Sequence, residues 1–260
     1  MTKVIAIANQ KGGVGKTTTT VNLGAGLVRK GYRVLMIDAD AQGNLTDSLG
    51  WHTPDELPTT LANHMHSLIE HEPFDPIDGI LRHEEGMDLL PANIALSALE
   101  VSLVNALSRE TILKRYIEMV KDRYDFILID CMPSLGMITI NALAAADSVL
   151  IPVQAHYLPA KGMTQLLQTI QRVRHIHPSL QIAGALMTMT DKCTNFTKDI
   201  SVQLRQLYGA HLNVFETEIP RAIRIAEASA NGMSIFAYDP KGKATEAYTA
   251  FTNEILGEEQ

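Results

Sequence analysis

The chain of 260 residues has 22 Lys and Arg against 29 Asp and Glu, which gives a formal net charge of −7 at pH 7. Its 46% hydrophobic and 20% charged residues are the composition of an ordinary folded protein, which excludes extended disorder and fibrous repeats. Two cysteines exclude a disulfide framework, and no apolar run reaches the ~18 residues of a transmembrane helix, so a cytosolic protein is expected.

Short apolar runs alternate with longer amphipathic stretches along the chain. The runs are nearly continuous, as in strands covered on both faces of a parallel sheet. Predicted strands cover residues 4–8, 34–37, 126–129, 149–153 and 182–187, and predicted helices cover residues 17–30, 60–71, 96–107, 110–121, 160–176, 197–208 and 244–256. Strands that alternate with helices imply βαβ crossovers, so we predict an α/β fold with three layers and a doubly wound, mostly parallel sheet.

One segment interrupts this alternation. Residues 51–86 are rich in Pro, His and acidic residues. The segment predicts an excursion between two strands that contains one helix, rather than a second domain. We therefore expect residues 1–260 to form a single domain.

A glycine-rich segment, residues 10–18, follows the first predicted strand and opens the first predicted helix. Glycines let backbone N–H groups converge on one point, and the helix N-terminus adds partial positive charge, so this context binds phosphate. Lys16 can reach the β- and γ-phosphates of a nucleotide, and the Thr17 hydroxyl can bind Mg²⁺. The common pattern GxxxxGK(S/T) has glycine where this chain has Gln10, and an additional Lys11 lies inside the loop. The predicted nucleotide-binding residues here are Gly12, Gly13, Val14, Gly15, Lys16, Thr17 and Thr18.

Two predicted strands end in aspartate. Asp38 follows strand 34–37, and Asp130 follows strand 126–129. A single aspartate of this kind would also fit a helix cap or a turn, but two beside a phosphate loop favour a magnesium site, because ligands gather at the carboxyl ends of parallel strands. Asp38 and Asp130 are therefore predicted metal ligands together with Thr17, and the Asp38/Asp40 pair supplies a carboxylate that orients an attacking water molecule.

Three motifs carry a family resemblance. Residues 11–17, KGGVGKT, fit the loop KGGxGKT; residues 38–44, DADAQGN, are similar to DxDPQxN; and residues 130–134, DCMPS, are similar to DxPPS. The chain thereby resembles the ParA/Soj family of deviant-Walker (MinD/ParA-type) P-loop partition ATPases, over residues 1–256. Ala41 and Met132 stand where the family commonly has proline, so the rigidity of these two segments differs from the family pattern.

The resemblance implies a Mg²⁺-dependent ATP hydrolase that uses ATP and ADP. It implies that Lys11 crosses a dimer interface to the partner's nucleotide, so that ATP joins two copies into a homodimer and hydrolysis releases them. Catalytic residues would be Lys11, Lys16 and Asp40, with Asp40 orienting the water. Residues 38–44 and 130–136 would be nucleotide-sensing switches.

The resemblance also implies partners. Partition ATPases bind nucleoid DNA without sequence preference and are stimulated by a ParB-like centromere-binding protein, which would place this chain in the cytoplasm on the nucleoid. The implied DNA contacts are Arg221, Arg224 and Lys192, and the tripeptide around Pro220 and Arg221 would contact the nucleotide. Related proteins often have an arginine where this chain has Cys193. Because the phosphate loop follows the first strand, we expect no N-terminal helix-turn-helix domain.

Three other kinds of protein share this fold, and the sequence argues against two of them. A MinD-like membrane ATPase needs a basic amphipathic C-terminal helix, whereas residues 251–260 are acidic, so we expect no membrane partner. A nitrogenase-type iron protein needs paired cysteines, and Cys131 and Cys193 are far apart in sequence. The alternative that the sequence does not separate is a positioning or regulatory ATPase switch that acts on a protein cargo without binding DNA, since its ATP site would be identical.

Overall fold

The computed structural model describes residues 1–154, 160–191, 205–206, 209 and 212–258. Eight strands in these residues form one sheet, in the order β3-β4-β2-β5-β1-β6-β7-β8. The strands are β1 (Lys3–Ile7), β2 (Val34–Ala39), β3 (Leu81–Arg82), β4 (Asp88–Leu90), β5 (Phe126–Cys131), β6 (Ser148–Gln154), β7 (Gln181–Thr190) and β8 (Val214–Pro220). Every neighbouring pair is parallel except β3 with β4, so the predicted mostly parallel sheet is confirmed.

Helices cover both faces of the sheet. They are α1 (Lys16–Arg29), α2 (Asn44–Ser48), α3 (Leu61–Glu70), α4 (Ala95–Leu103), α5 (Ile112–Val120), α6 (Met137–Ala145), α7 (Ala160–Val173), α8 (Ile223–Ala230), α9 (Ile235–Tyr238) and α10 (Lys243–Leu256). In the described part of the chain, no helix has the length and apolar character needed to cross a membrane.

The side chains of β1 show how the three layers arise. Val4 and Ala6 point into a core shared with α3 to α7, whereas Ile5 and Ile7 point into a second core shared with α1, α2, α8, α9 and α10. Successive side chains of a strand face opposite sides of the sheet, so a strand covered on both sides is apolar at every position. This is why the continuous apolar runs in the sequence predicted the central strands.

The sheet order brings the predicted functional segments together. Strand β5 lies between β1 and β2, and Asp38 of β2 is in register with Asp130 of β5. The same residue of β5 is in register with Ile7 of β1, just before the glycine-rich loop. Because these three strands are parallel, the loops that follow them open at one edge of the sheet.

Some elements differ from the sequence predictions. The helix predicted over residues 96–107 ends at Leu103, and most of the helix predicted over residues 197–208 lies outside the described residues. Strand β8 lies at the sheet edge and alternates in burial, so it has no continuous apolar run to find. Helix α6 is buried over most of its length, so it has no polar face. Short elements β3, β4, α2, α8 and α9 were also missed.

Candidate functional site

The loop between β1 and α1 turns sharply at two glycines. Gly13 and Gly15 have φ values of 70° and 84°, a left-handed conformation that a side chain would strain. Thr188, near the end of β7, holds the loop from the other side, because its Oγ1 donates to the Val14 carbonyl at 2.8 Å. The loop is therefore fixed as a cradle of backbone amides.

Helix α1 opens directly from this cradle. Its N-terminal hydrogen bond runs from Thr19 N to the Gly15 carbonyl at 2.9 Å, so the amides of residues 16–18 precede the first helical bond. Such amides, together with the helix dipole, attract an anion. Lys16 is buried, and its Nζ donates to the Lys11 carbonyl at 3.3 Å. Burial lowers the pKa of Lys16, and nearby acidic groups, Asp130 foremost, oppose the shift.

A buried carboxylate faces the first turn of α1. Thr17 Oγ1 donates to Asp130 Oδ2 at 2.6 Å, and Asp130 is 1% exposed. Burial and the neighbouring Asp38 raise the pKa of Asp130 to about 8, although the Thr17 hydrogen bond and Lys16 act in the opposite direction. Burial likewise raises the pKa of Asp38 to about 6. Two buried carboxylates on neighbouring strands favour the binding of a cation between them.

The turn after β2 presents a third carboxylate. Asp40 is 7% exposed and lines a cavity of about 330 Å³ with Gly12, Lys16 and Thr17, which we call the loop cavity. The Gln42 amide donates to Asp40 Oδ1 at 3.0 Å. A carboxylate, an ammonium and the amides of a glycine-rich loop therefore surround one small space.

A larger cavity continues from the loop cavity. It has a volume of about 780 Å³, and we call it the side cavity. Gly15, Thr18 and Met189 line both cavities, and Pro220 and Arg221 line the side cavity but not the loop cavity. The predicted nucleotide contacts at residues 220–221 are thus adjacent to the glycine-rich loop, although they are far from it in the sequence.

Lys11 lies on the rim of this site. Its N–H donates to Asn9 Oδ1 at 3.0 Å, and its Nζ donates to Gln154 Oε1 at 3.2 Å, at the end of β6. Within one copy of the chain, therefore, the additional lysine is held by the neighbouring strand.

The donor set fits a magnesium nucleotide. The glycine cradle and Lys16 supply N–H donors for phosphate oxygens, and Thr17 and Asp130 supply the oxygen ligands that Mg²⁺ prefers. The two cavities together offer space for a triphosphate in the smaller one and for a base and sugar in the larger one. Cys131, by contrast, is buried, and burial raises the pKa of its thiol, so the neutral thiol suits packing rather than metal binding.

Several residues of the site were not predicted from sequence. Thr46 and Ser48 in α2 and Thr188 and Met189 at the end of β7 line or hold the two cavities. The available signal was weak: polar residues that follow an apolar strand at the same edge of the sheet. Of the predicted residues, Lys192 lies outside the described part of the chain, as does Cys193.

The buried carboxylate pair predicts a pH-dependent stability. The pKa of Asp130 is the ordinary aspartate value of 3.8 in the unfolded chain and about 8 in the folded one. Its contribution to folding stability is therefore complete below about pH 4 and is lost as the pH rises through 8. Asp130→Asn, which cannot ionise, is expected to raise the free energy of unfolding at pH 8.5 more than at pH 6, by on the order of 1 to 2 kcal/mol. Urea unfolding of the nucleotide-free protein at both pH values measures this difference.

The control for that experiment is Asp125→Asn. Asp125 is an exposed partner of Arg33, which holds the pKa of Asp125 at about 2, so it is ionised in both states between pH 6 and 8.5. Its substitution should change stability equally at the two pH values. An equal effect of Asp130→Asn at both pH values would contradict a protonated carboxylate in the folded site.

Comparison with known proteins agrees with this geometry. A family model described as an AAA domain matches residues 2–182. The sporulation initiation inhibitor protein Soj of Bacillus subtilis is 44% identical over 257 residues, covering 98% of this chain and 98% of the relative. The chromosome partitioning protein ParA of Caulobacter vibrioides is 38% identical over 262 residues, covering 99% and 95%. A solved structure of cobyrinic acid a,c-diamide synthase from Mycobacterium smegmatis, with bound ATP analogue and magnesium, has a TM-score of 0.86 at 38% identity, covering 98% and 95%.

A parallel sheet whose first strand leads through a glycine-rich loop into a helix, with Lys16 and Thr17 opposite Asp130, defines a P-loop ATPase. The ATPase activity predicted from the sequence is thereby confirmed. More narrowly, the chain belongs to the Soj/ParA family of chromosome-partitioning ATPases. The predicted cofactors, ATP or ADP with Mg²⁺, agree with solved structures of the M. smegmatis protein, which hold an ATP analogue or ADP with magnesium.

Proposed function

We propose that this ATPase segregates a plasmid, a chromosome or an integrated mobile element by an ATP-dependent cycle of dimerisation and DNA binding. The observation that carries the proposal is the loop cavity, where Lys16, Thr17 and Asp40 meet beside the additional Lys11. Membership of the Soj/ParA family supports a role in segregation or positioning. A ParB-like centromere-binding protein would stimulate hydrolysis, and the ATPase would act on the nucleoid.

Nucleotide binding would use the residues that form the cradle. The loop amides from Gly12 to Thr18 and the Lys16 ammonium would hold the triphosphate, and Pro220 and Arg221 would border the base and sugar in the side cavity. Thr17 and Asp130 would hold Mg²⁺, which neutralises phosphate charge when bound. Asp38 remains a predicted third ligand, directly beside Asp130 in the sheet.

Hydrolysis needs a group that orients water. Asp40 is the carboxylate of the β2 turn that lines the loop cavity, so we assign this role to it. Phosphoryl transfer depends mainly on positioning and on stabilisation of charge, so one acceptor that faces the γ-phosphate can suffice. Lys16 and, from the other subunit, Lys11 would stabilise the charge on the transferred group.

Two observations support a protein interface at the same edge of the sheet. Residues 94–108 contain one charged residue, Glu100, and four exposed aliphatic side chains: Ile94, Val101, Val104 and Leu107 are 56%, 72%, 53% and 89% exposed. Glu100 lies against Gly136 in the switch segment after β5. An apolar surface with a single charge, beside a switch, would let two copies of a chain with a net charge of −7 approach each other.

The proposed DNA surface lies at the start of α8. Arg221 and Arg224 are exposed, and the Arg224 guanidinium lies 3.7 Å from Glu227 Oε2 and 5.8 Å from the centre of the Tyr238 ring. These contacts hold the arginine side chain outward without burying its charge. Helix α8 is also joined to α2, because Ser229 Oγ donates to Ser48 Oγ at 3.0 Å. That hydrogen bond supports a DNA surface that responds to the nucleotide.

Arg224→Glu is expected to weaken ATP-dependent binding of random-sequence DNA by roughly tenfold or more and to lower the salt slope by about one, because one phosphate contact is lost and repulsion is added. A gel shift with ATP and Mg²⁺ over a salt series measures both quantities. Arg123→Glu makes the same charge change in an exposed turn before β5, at the opposite edge of the sheet, and should leave binding unchanged.

The same gel shift separates the two candidate functions. Wild-type protein that shifts DNA only with ATP, and loses the shift as salt rises, supports partition. Wild-type protein that never shifts DNA would favour the alternative, a positioning or regulatory switch on a protein cargo. Equal DNA binding by wild type and Arg224→Glu would refute the proposed DNA surface while leaving the ATPase cycle in place.

A further inference from the structure

The turn after β2 is held from inside by one buried threonine, Thr46 of α2. Its Oγ1 donates to Asp38 Oδ2 at 2.8 Å, and its N–H donates to the same oxygen at 2.9 Å. The Thr46 hydroxyl also accepts a hydrogen bond from the Ala92 amide at 3.2 Å, and the residue is fully buried. The hydroxyl therefore connects β2, α2 and the segment after β4 at a single point.

The other carboxylate oxygen of Asp38 is hydrogen-bonded to Asp40, which lines the loop cavity. Asp38 Oδ1 accepts from the Asp40 amide at 3.1 Å. The Asp40 carbonyl then accepts from the Gly43 amide at 2.9 Å, which closes the turn. Two donors on one carboxylate oxygen and one donor on the other leave the Asp38 carboxylate a single orientation, and the backbone of Asp40 follows it.

We infer that Thr46 is a positioning residue for ATP hydrolysis: it fixes Asp38, and Asp38 fixes the amide of Asp40 so that the Asp40 carboxylate faces the loop cavity. The inference rests on the proposed role of Asp40 in orienting water. A displacement of about 1 Å of a group that positions a reactant costs up to about a hundredfold in rate. Thr46 would therefore act on turnover without touching the nucleotide.

Thr46→Val tests this because valine has the same shape and no hydroxyl. We expect kcat to fall by about tenfold or more while KM for ATP stays within about threefold, the pattern of an interaction that matters in the transition state alone. Thr46→Ser, which keeps the hydroxyl, should restore most of the turnover. Thr252→Val is the matched control: Thr252 is equally buried and donates to the Tyr248 carbonyl at 2.8 Å, so its loss should lower stability but not kcat.

A second readout does not depend on turnover. In the nucleotide-free protein, amide hydrogen exchange over residues 38–46 should be faster in Thr46→Val than in wild type, and should return towards wild type in Thr46→Ser. If Thr46→Val does not fold, Thr46→Ala, which also lacks the hydroxyl, is measured in the same way.

The outcomes separate this inference from the function it rests on. Wild-type kcat in Thr46→Val, or in Thr46→Ala where Thr46→Val does not fold, would overturn the inference, as would wild-type exchange over residues 38–46 or a loss of turnover that Thr46→Ser does not restore. Undiminished turnover of Asp40→Ala would instead remove the role of Asp40 itself. Reduced turnover of Asp40→Ala together with undiminished turnover of Thr46→Val would leave that role intact and refute Thr46 alone.

Discussion

Asp40→Ala is expected to lower ATP turnover by roughly a hundredfold or more, the range that groups acting on the attacking nucleophile contribute. Nucleotide affinity should change by less than about threefold, because the groups that hold phosphate, the loop amides and Lys16, are untouched. Single-turnover hydrolysis and the binding of a fluorescent ATP analogue measure the two quantities separately. Undiminished turnover would show that another group orients the water.

Asp40→Asn separates the effect of the negative charge from that of the hydrogen bond to Gln42. The asparagine keeps an oxygen that can accept from the Gln42 amide at the 3.0 Å seen for Asp40 Oδ1, so the turn keeps its hydrogen bond while the negative charge is lost. Turnover as low as in Asp40→Ala would assign the effect to the charge. Asp125→Ala removes an exposed carboxylate far from the site, paired with Arg33, and should leave turnover unchanged.

The central part of the fold could be predicted because buried parallel strands are apolar at every position. Strands β2 and β5 are buried along their whole length, and both were found from their apolar runs. The edge strand β8 could not be found in this way, because Glu216 and Glu218 interrupt it where one face meets solvent. Whether a strand lies at the centre or the edge of a sheet is set by pairing with distant segments, which local pattern does not contain.

Some residues of the site could likewise be predicted from the sequence, and others could not. Lys16, Thr17 and Asp130 could be predicted because their chemistry and their place after strands are both visible in the sequence. The hydrogen bonds of Thr46 to Asp38 could not, since the α2 threonine reads as an ordinary residue of a short polar segment. The approach of residues 220–221 to the glycine-rich loop likewise depends on the sheet bringing β7 and β8 beside β6, and only the family resemblance indicated it.

Lys11→Ala is expected to abolish ATP-dependent dimerisation and to lower turnover by roughly a thousandfold, the low end of what a cation supplied by a second subunit contributes. Nucleotide binding by the monomer should persist, because in one copy the Lys11 ammonium lies on Gln154 at the end of β6 rather than over its own loop. Light scattering with ATP and Mg²⁺ measures the dimer. Lys11→Arg keeps the cation and should retain part of the dimer.

Mixing two inactive variants decides whether Lys11 acts on its own nucleotide or on that of the partner. In a mixed dimer of Lys11→Ala with Asp40→Ala, the Lys11→Ala subunit keeps its own Asp40 and receives Lys11 from its partner, so one of the two sites is complete. Activity should therefore return on mixing, because each mixed dimer that forms has one working site out of two. If Lys11 served the loop of its own chain, every site in the mixture would lack one of the two groups, and no activity would return.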